Sequence, residues 1–274
     1  MRERLERAQR RVMRIACVVE YDGAGFRGWQ SQRSGRTVQA TLERALSAVA
    51  DESVAVICAG RTDAGVHATG QVVHFDTAAD RPRRAWLMGT NSNLPGDIAV
   101  RFVSAVDPYF HARHTAVGRH YRYLIATGPD RPALWRDRVG WNHAALDAAA
   151  MQRGADFLLG ERDFSAFRSA DCQSTTPMRR IDDIVIVPSP GWVRIDVTGN
   201  AFLHKMVRII TGTLLAVGRG ERAPEWVGDV LAGGDRRRAG VTAKAEGLYF
   251  LGPRYPEGVD LPVPRLAGSF PPVG

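Results

Sequence analysis

Along residues 14–21 the side chains alternate, with Ile15, Cys17 and Val19 on one side and Ala16 and Val18 on the other. A period of two with apolar residues on both sides predicts a strand buried on both faces. It runs into the turn Asp22-Gly-Ala-Gly25 and the stretch Phe26-Arg-Gly-Trp-Gln30. After Thr37, a natural N-cap, the period lengthens: Val38, Leu42, Ala45, Leu46 and Val49 recur at helical spacing. The apolar run 54–58 predicts a buried strand and 70–75 a second one. Residues 85–88 belong to a helix and 97–103 to a further strand. The order is β-α-β-β-α-β, that of a ferredoxin-like half.

The second half repeats the theme. A strand over 119–126 leads, through 139–141, to a helix over 144–159. The runs 181–187 and 192–198 predict a hairpin about Ser189-Pro-Gly191. A long helix follows from Phe202 to about Val217, with Phe202, Met206 and Ile209 as its core stripe, then a shorter one over 224–231 and a strand over 247–251. Two α+β halves of like order predict a pseudo-symmetric, mostly antiparallel mixed sheet flanked by helices, with a cleft between the halves. The expected division is a basic arm 1–13, an N-terminal half 14–114, a C-terminal half 115–256 and a Pro-rich tail 257–274.

Composition narrows the class. At 274 residues, 45% of them hydrophobic, the chain can bury an ample core as a soluble globular protein. No apolar run approaches the roughly 20 residues of a membrane span. The Arg-rich N-terminus has no apolar segment of the kind a secretory signal needs. Cys17, Cys58 and Cys172 are odd in number and widely spaced, without a CxxC or Cys/His pattern. The expectation is a reduced, cytoplasmic protein without structural zinc. A net charge of +8 points to a polyanionic partner. Of 37 basic residues only Lys205 and Lys244 are lysines. A GC-rich genome would produce that bias; so would selection for guanidinium groups, which bind phosphate bidentately and stack on bases.

Four segments carry candidate chemistry. The run Ala59 to Ala68, Ala-Gly-Arg-Thr-Asp-Ala-Gly-Val-His-Ala, sets Asp63 between two glycines and two residues after Arg61, directly beyond a predicted strand. Gly60 and Gly65 can take backbone angles closed to other residues, which admits a substrate closely. Asp63 is either a reacting carboxylate or the acceptor of an Asx-type turn. In Arg119-His-Tyr-Arg-Tyr123, alternation places Arg119, Tyr121 and Tyr123 on one face. Cations interleaved with aromatics suit stacking and phosphate contact, or simply a half-buried strand. In Asn200-Ala-Phe-Leu-His-Lys-Met-Val-Arg208, residues His204, Lys205 and Arg208 fall partly off the core stripe, and an arginine there calls for a carboxylate partner. The fourth segment, Thr242-Ala-Lys-Ala-Glu-Gly-Leu-Tyr249, has a glycine leading into a strand. His67 and His74 lack a companion Cys or acidic set and read as core or turn residues, not metal ligands.

The Asp63 run resembles the active-site signature of the tRNA pseudouridine synthase A family. The likeness continues in order through Glu20-Tyr-Asp-Gly23, Gly28-Trp-Gln30, Gly70-Gln-Val-Val-His-Phe75, Asn93-Leu-Pro-Gly-Asp97, Phe110-His-Ala-Arg113, Tyr121-Arg-Tyr123, Asp163-Phe-Ser-Ala-Phe167, the Arg208 segment and Ala243-Lys-Ala-Glu-Gly-Leu248, covering about 14–256. The resemblance implies that uridine is isomerised to pseudouridine at positions 38, 39 and 40 of the tRNA anticodon stem-loop. It implies no cofactor, no metal, and a homodimer whose two subunits both touch one tRNA. By position, Asp63 becomes the catalytic carboxylate and Arg61 the residue that enters the RNA stack. Tyr121 lies against the flipped uracil, Arg208 pairs with Asp63, Leu248 packs beneath the base, and Lys244 joins the substrate-binding set.

Two other classes compete. A retaining N-glycosidase would use Asp63 as nucleophile but wants a second carboxylate, and Glu246 is the only acid in the distal motif. A non-catalytic RNA-binding protein would use the basic charge and the aromatics and leave Asp63 idle.

Overall fold

A computed structural model describes residues 12–262 of the chain. The basic arm up to residue 11 and the tail from 263 onward lie outside the described residues. The N-terminal half comprises β1 (Met13–Tyr21), α1 (Val38–Ala50), β2 (Ile57–Cys58), β3 (His67–Thr77), α2 (Arg83–Asn93) and β4 (Ile98–Ala105). The C-terminal half comprises β5 (Gly118–Thr127), β6 (Gly140–Asn142), α3 (Ala148–Asp156), β7 (Gly160–Asp163), β8 (Met178–Ser189), β9 (Trp192–Gly199), α4 (Met206–Gly218), α5 (Glu225–Gly233) and β10 (Leu248–Arg254).

All strands join one sheet in the order β4-β1-β3-β10-β5-β9-β8-β7, with β2 also on β3 and β6 also on β5. The repeat is visible in this order. β4-β1-β3, extended by β2, matches β10-β5-β9, extended by β8, and in each half these pairings are antiparallel. The halves meet where β10 runs parallel to the start of β3, through Tyr249 opposite His67 and Phe250 opposite Ala68.

The helices pack on one face of the sheet in two groups. Ile15, Cys17 and Val19 of β1 meet Leu42, Leu46 and Trp86 of α1 and α2. Tyr123, Ile125, Ile195 and Val197 meet Met151, Ile209, Ile210, Leu214 and Val227 of α3 to α5. Tyr121 packs against both clusters, so the gap between them opens above the middle of the sheet. On the opposite face Ala16, Val18 and Val72 are covered by Phe110, Tyr255 and Leu261, and Leu124 and Leu251 by Val139 and Trp135.

Several predicted boundaries shift, each for a local reason. The strand expected over 54–58 shrinks to two residues because the backbone N–H of Val54 donates to Ser47 Oγ and that of Val56 to Glu43 Oε1. These groups are satisfied by side chains of α1, not by a neighbouring strand. Thr37 sits at the N-cap of α1, yet its hydroxyl makes no capping bond. The helix expected over 144–159 begins at Ala148, where Asp147 caps it by accepting from Ala150 N. The long helix starts at Met206 and not at Phe202, because Lys205 takes left-handed backbone angles (φ 60°). β7 has no apolar alternation: Glu161, Arg162 and Asp163 are exposed on the sheet edge, where charge discourages pairing with another chain.

Candidate active site

Asp63 lies in the turn between β2 and β3, and much of the surrounding structure exists to hold that turn. The carboxamide of Gln71, fully buried on β3, clasps Gly60 from both sides, donating to its carbonyl at 2.6 Å and accepting from its N–H at 3.4 Å. Tyr21 and Thr62 share a hydroxyl hydrogen bond of 2.8 Å. The N–H of Trp29 donates to Thr62 O at 3.0 Å, and Gly28 passes so near that a Cβ there would stand 2.8 Å from that oxygen. Gly65 takes φ +78°, which requires glycine. Gly60 does not: its φ lies outside the left-handed range, and an added Cβ would make only ordinary contacts with Phe250 and Tyr121.

Arg208, in the first turn of α4, donates from Nη1 to Asp63 Oδ2 at 2.9 Å and from Nε to the carbonyl of Ala243 at 2.9 Å. The second bond fixes the guanidinium so that the first points at the carboxylate. His204 Nε2 stands 3.2 Å from the other carboxylate oxygen, Oδ1. Tyr121 forms the floor, its ring 5.0 Å from Phe250 and 5.1 Å edge-on from Phe202. Burial raises its phenol above the ordinary tyrosine range, so it is protonated at neutral pH. Leu248, at the start of β10, is buried and lines the same cleft.

The cleft has a volume of about 1000 Å³ and is bordered by Arg27, Arg61, Arg113, Arg119, Lys205 and Arg208 against two carboxylates, Asp63 and Asp171. Six cations facing two anions favour a polyanion. Arg61 is exposed, and among the described residues its guanidinium has no ion pair or hydrogen bond. Arg119 differs: it donates to the carbonyls of Ala59, Arg113, Ala116 and Asn200. Arg122 is likewise committed, bidentate to Asp196. Arg119 therefore ties the two halves together, and Arg122 ties β5 to β9 within the C-terminal half, which the alternation alone did not reveal.

A model of the family described as tRNA pseudouridine synthase matches residues 17–114 and 155–256. The chain belongs to the tRNA pseudouridine synthase family. It is an isomerase acting on tRNA. Similar proteins named tRNA pseudouridine synthase A include one from Methylibium petroleiphilum, 52% identical over 91% of this chain and 96% of its own length. Another, from Aliivibrio salmonicida, is 51% identical over 95% of this chain and 99% of its own. A third, from Pseudomonas aeruginosa, is 49% identical over 97% and 93%.

Within this synthase family member, the structure brings Asp63, Arg61, Tyr121, Arg208 and Leu248 to one cleft. Lys244 stands apart: its side chain is 82% exposed, its ammonium is 3.9 Å from Glu246, and it does not border the cleft. Glu246, the acid of the distal motif, does not border it either; the second carboxylate on the cleft is Asp171. His67 and His74 are buried acceptors, for Gly23 N and Ala112 N respectively. His204, Gln71 and Arg119 all lie in segments the sequence singles out, but their partners, Asp63, Gly60 and a set of backbone carbonyls, were not foreseen. His204 had one available signal, its position four residues before Arg208.

Proposed function

We propose that the chain isomerises uridine at positions 38, 39 and 40 of the tRNA anticodon stem-loop, with Asp63 as the reacting carboxylate. The observation that carries this reading is the Asp63–Arg208 pair at the head of a cationic cleft floored by Tyr121 and Leu248. The reaction breaks the bond from C1′ to N1, turns the base and rejoins it through C5. It is redox-neutral and calls for no electron carrier. Whether Asp63 adds to C1′, adds to C6 or takes the C2′ proton, it must act as a carboxylate, and the Arg208 guanidinium is paired with it.

A uridine within a stem has to be extruded, at a cost of a few kcal/mol. Arg61, free at the rim of the turn, is suited to fill the vacated place, since its plane stacks and its charge holds phosphate. Tyr121 lies against the flipped base and offers a hydroxyl donor; Leu248 packs beneath it. Lys244 reaches RNA from outside the cleft. We read residues 14–114 as the half that carries the carboxylate and 115–256 as the half that closes on it, in a cytoplasmic homodimer whose subunits both touch one tRNA.

The deciding experiment treats anticodon stem-loop RNA with the native protein and with Asp63→Asn, then maps pseudouridine by chemical labelling. The native protein should label positions 38 to 40, and the variant should bind RNA and leave it unmodified. Turnover by the variant would remove Asp63 from the mechanism. Release of free uracil without a C-glycoside would replace the isomerase with a glycosidase.

A further inference from the structure

The two carboxylate oxygens of Asp63 face different partners. Oδ2 accepts a hydrogen bond from Arg208, whereas Oδ1 has His204 Nε2 at 3.2 Å. The backbone of His204 is itself held from both sides. Its carbonyl accepts from Ser169 N at 3.3 Å, and its N–H donates to Cys172 Sγ at 3.5 Å. The left-handed turn at Lys205 then swings the chain into α4 and leaves the imidazole over the Asp63 turn. His204 is thus aimed at the carboxylate by constraints unrelated to helix packing.

We propose that His204 is a positioning residue for Asp63. Its Nε2 faces Oδ1 at 3.2 Å while Arg208 holds Oδ2 by a hydrogen bond, so a nitrogen group stands against each carboxylate oxygen and limits its rotation. Other charged or titratable groups lie around the pair: Lys205 and Arg208 on the same segment, Asp171 and Cys172 from the loop at 169–173, Arg168 bound to the carbonyl of Cys172, and Arg61 and Tyr121 from the cleft.

The proposal rests on Asp63 being the reacting carboxylate. Its test measures kcat and KM by tritium release from stem-loop RNA carrying uridine labelled at C5. His204→Ala should lower kcat about 10- to 100-fold, the worth of a polar partner to a charged group, with KM for RNA nearly unmoved. His204→Gln, which keeps an N–H group of similar reach, should recover most of that loss. Full native kcat in His204→Ala would overturn the positioning role, and so would a His204→Gln variant no better than His204→Ala. A loss confined to KM would make His204 an RNA contact instead. Asp63→Asn, run in parallel, separates the two ideas: if it turns over, the underlying assignment fails whatever the histidine variants do.

Discussion

Asp63 and Arg208 are 145 residues apart in sequence, yet their side chains meet at 2.9 Å, one from a turn of the N-terminal half and the other from a helix of the C-terminal half. Both are only partly accessible, 23% and 16% exposed, so the pair is shielded from full solvent screening. Replacing Arg208 by Gln should lower kcat by about 10²- to 10³-fold, the cost of removing a preorganised charge beside a reacting group. Arg208→Lys should fall between, because an ammonium cannot serve Asp63 and the Ala243 carbonyl in the same fixed plane. Single-turnover rates at saturating RNA read this directly.

Arg61 invites a different outcome. Its guanidinium is exposed and unpartnered among the described residues, so Arg61→Ala should leave the fold intact. The flipping step should suffer more than the first encounter, giving a larger loss in kcat than in affinity. If the side chain neutralises one phosphate in the bound state, the slope of log K against log[salt] should flatten by about 1. Titrations at several salt concentrations, for the native protein and the variant, test both points.

Arg119 should behave as a structural tie and not as an RNA contact. Its four carbonyl partners come from the Asp63 turn, the segment before β5 and the end of β9, and burial lowers its pKa. Arg119→Leu would leave these carbonyls without their donor and should destabilise the protein by about 2–4 kcal/mol in denaturant unfolding. Its salt slope for RNA binding should match that of the native protein. A flattened slope without loss of stability would refute this role.

His74 sets an acid limit on stability. It is 2% exposed and accepts from Ala112 N; burial first, then the Arg14 guanidinium, pulls its imidazole down to about 4. An unfolded histidine titrates near about 6.5, so between these values the unfolded chain binds the extra proton and folding weakens as pH falls. The contribution is complete above about pH 6.5 and lost by about pH 4, with a size on the order of 2–3 kcal/mol. His74→Asn, which keeps an acceptor for Ala112, should be less stable at pH 7 and show a flatter decline toward acid in urea unfolding.

The parts of this protein that were legible in its sequence are those governed by local periodicity and local backbone need. Alternation over 14–21 and 119–126 gave β1 and β5, and the order of elements predicted the paired halves now seen in β4-β1-β3 and β10-β5-β9. The Asp63 turn was legible as a Gly-bracketed carboxylate at a strand edge, and the family likeness supplied Arg208 as its partner. What escaped was decided by groups distant in sequence. Val54 and Val56 look like strand residues, but side chains of α1 took their N–H groups. Phe202 fits a helical stripe, but the left-handed Lys205 delays the helix and turns Phe202 toward Tyr121 and His204 toward Asp63. Arg119 was read as a candidate for phosphate and is consumed by carbonyls, while Lys244, placed in the substrate set by position, does not border the cleft.

The sequence by itself determined most of the elements, the charge and the Gly-bracketed turn that carries the proposed reacting carboxylate, because periodicity, composition and glycine placement act within a few residues. Only the tertiary structure decided which oxygen of Asp63 meets Arg208, that His204 stands at the other, and that Arg119 and Arg122 are committed to protein partners. Those outcomes depend on how two half-sheets join at β3 and β10. Hydrogen bonds and ion pairs form between whatever groups that junction brings within reach, at separations in the chain that no local pattern encodes.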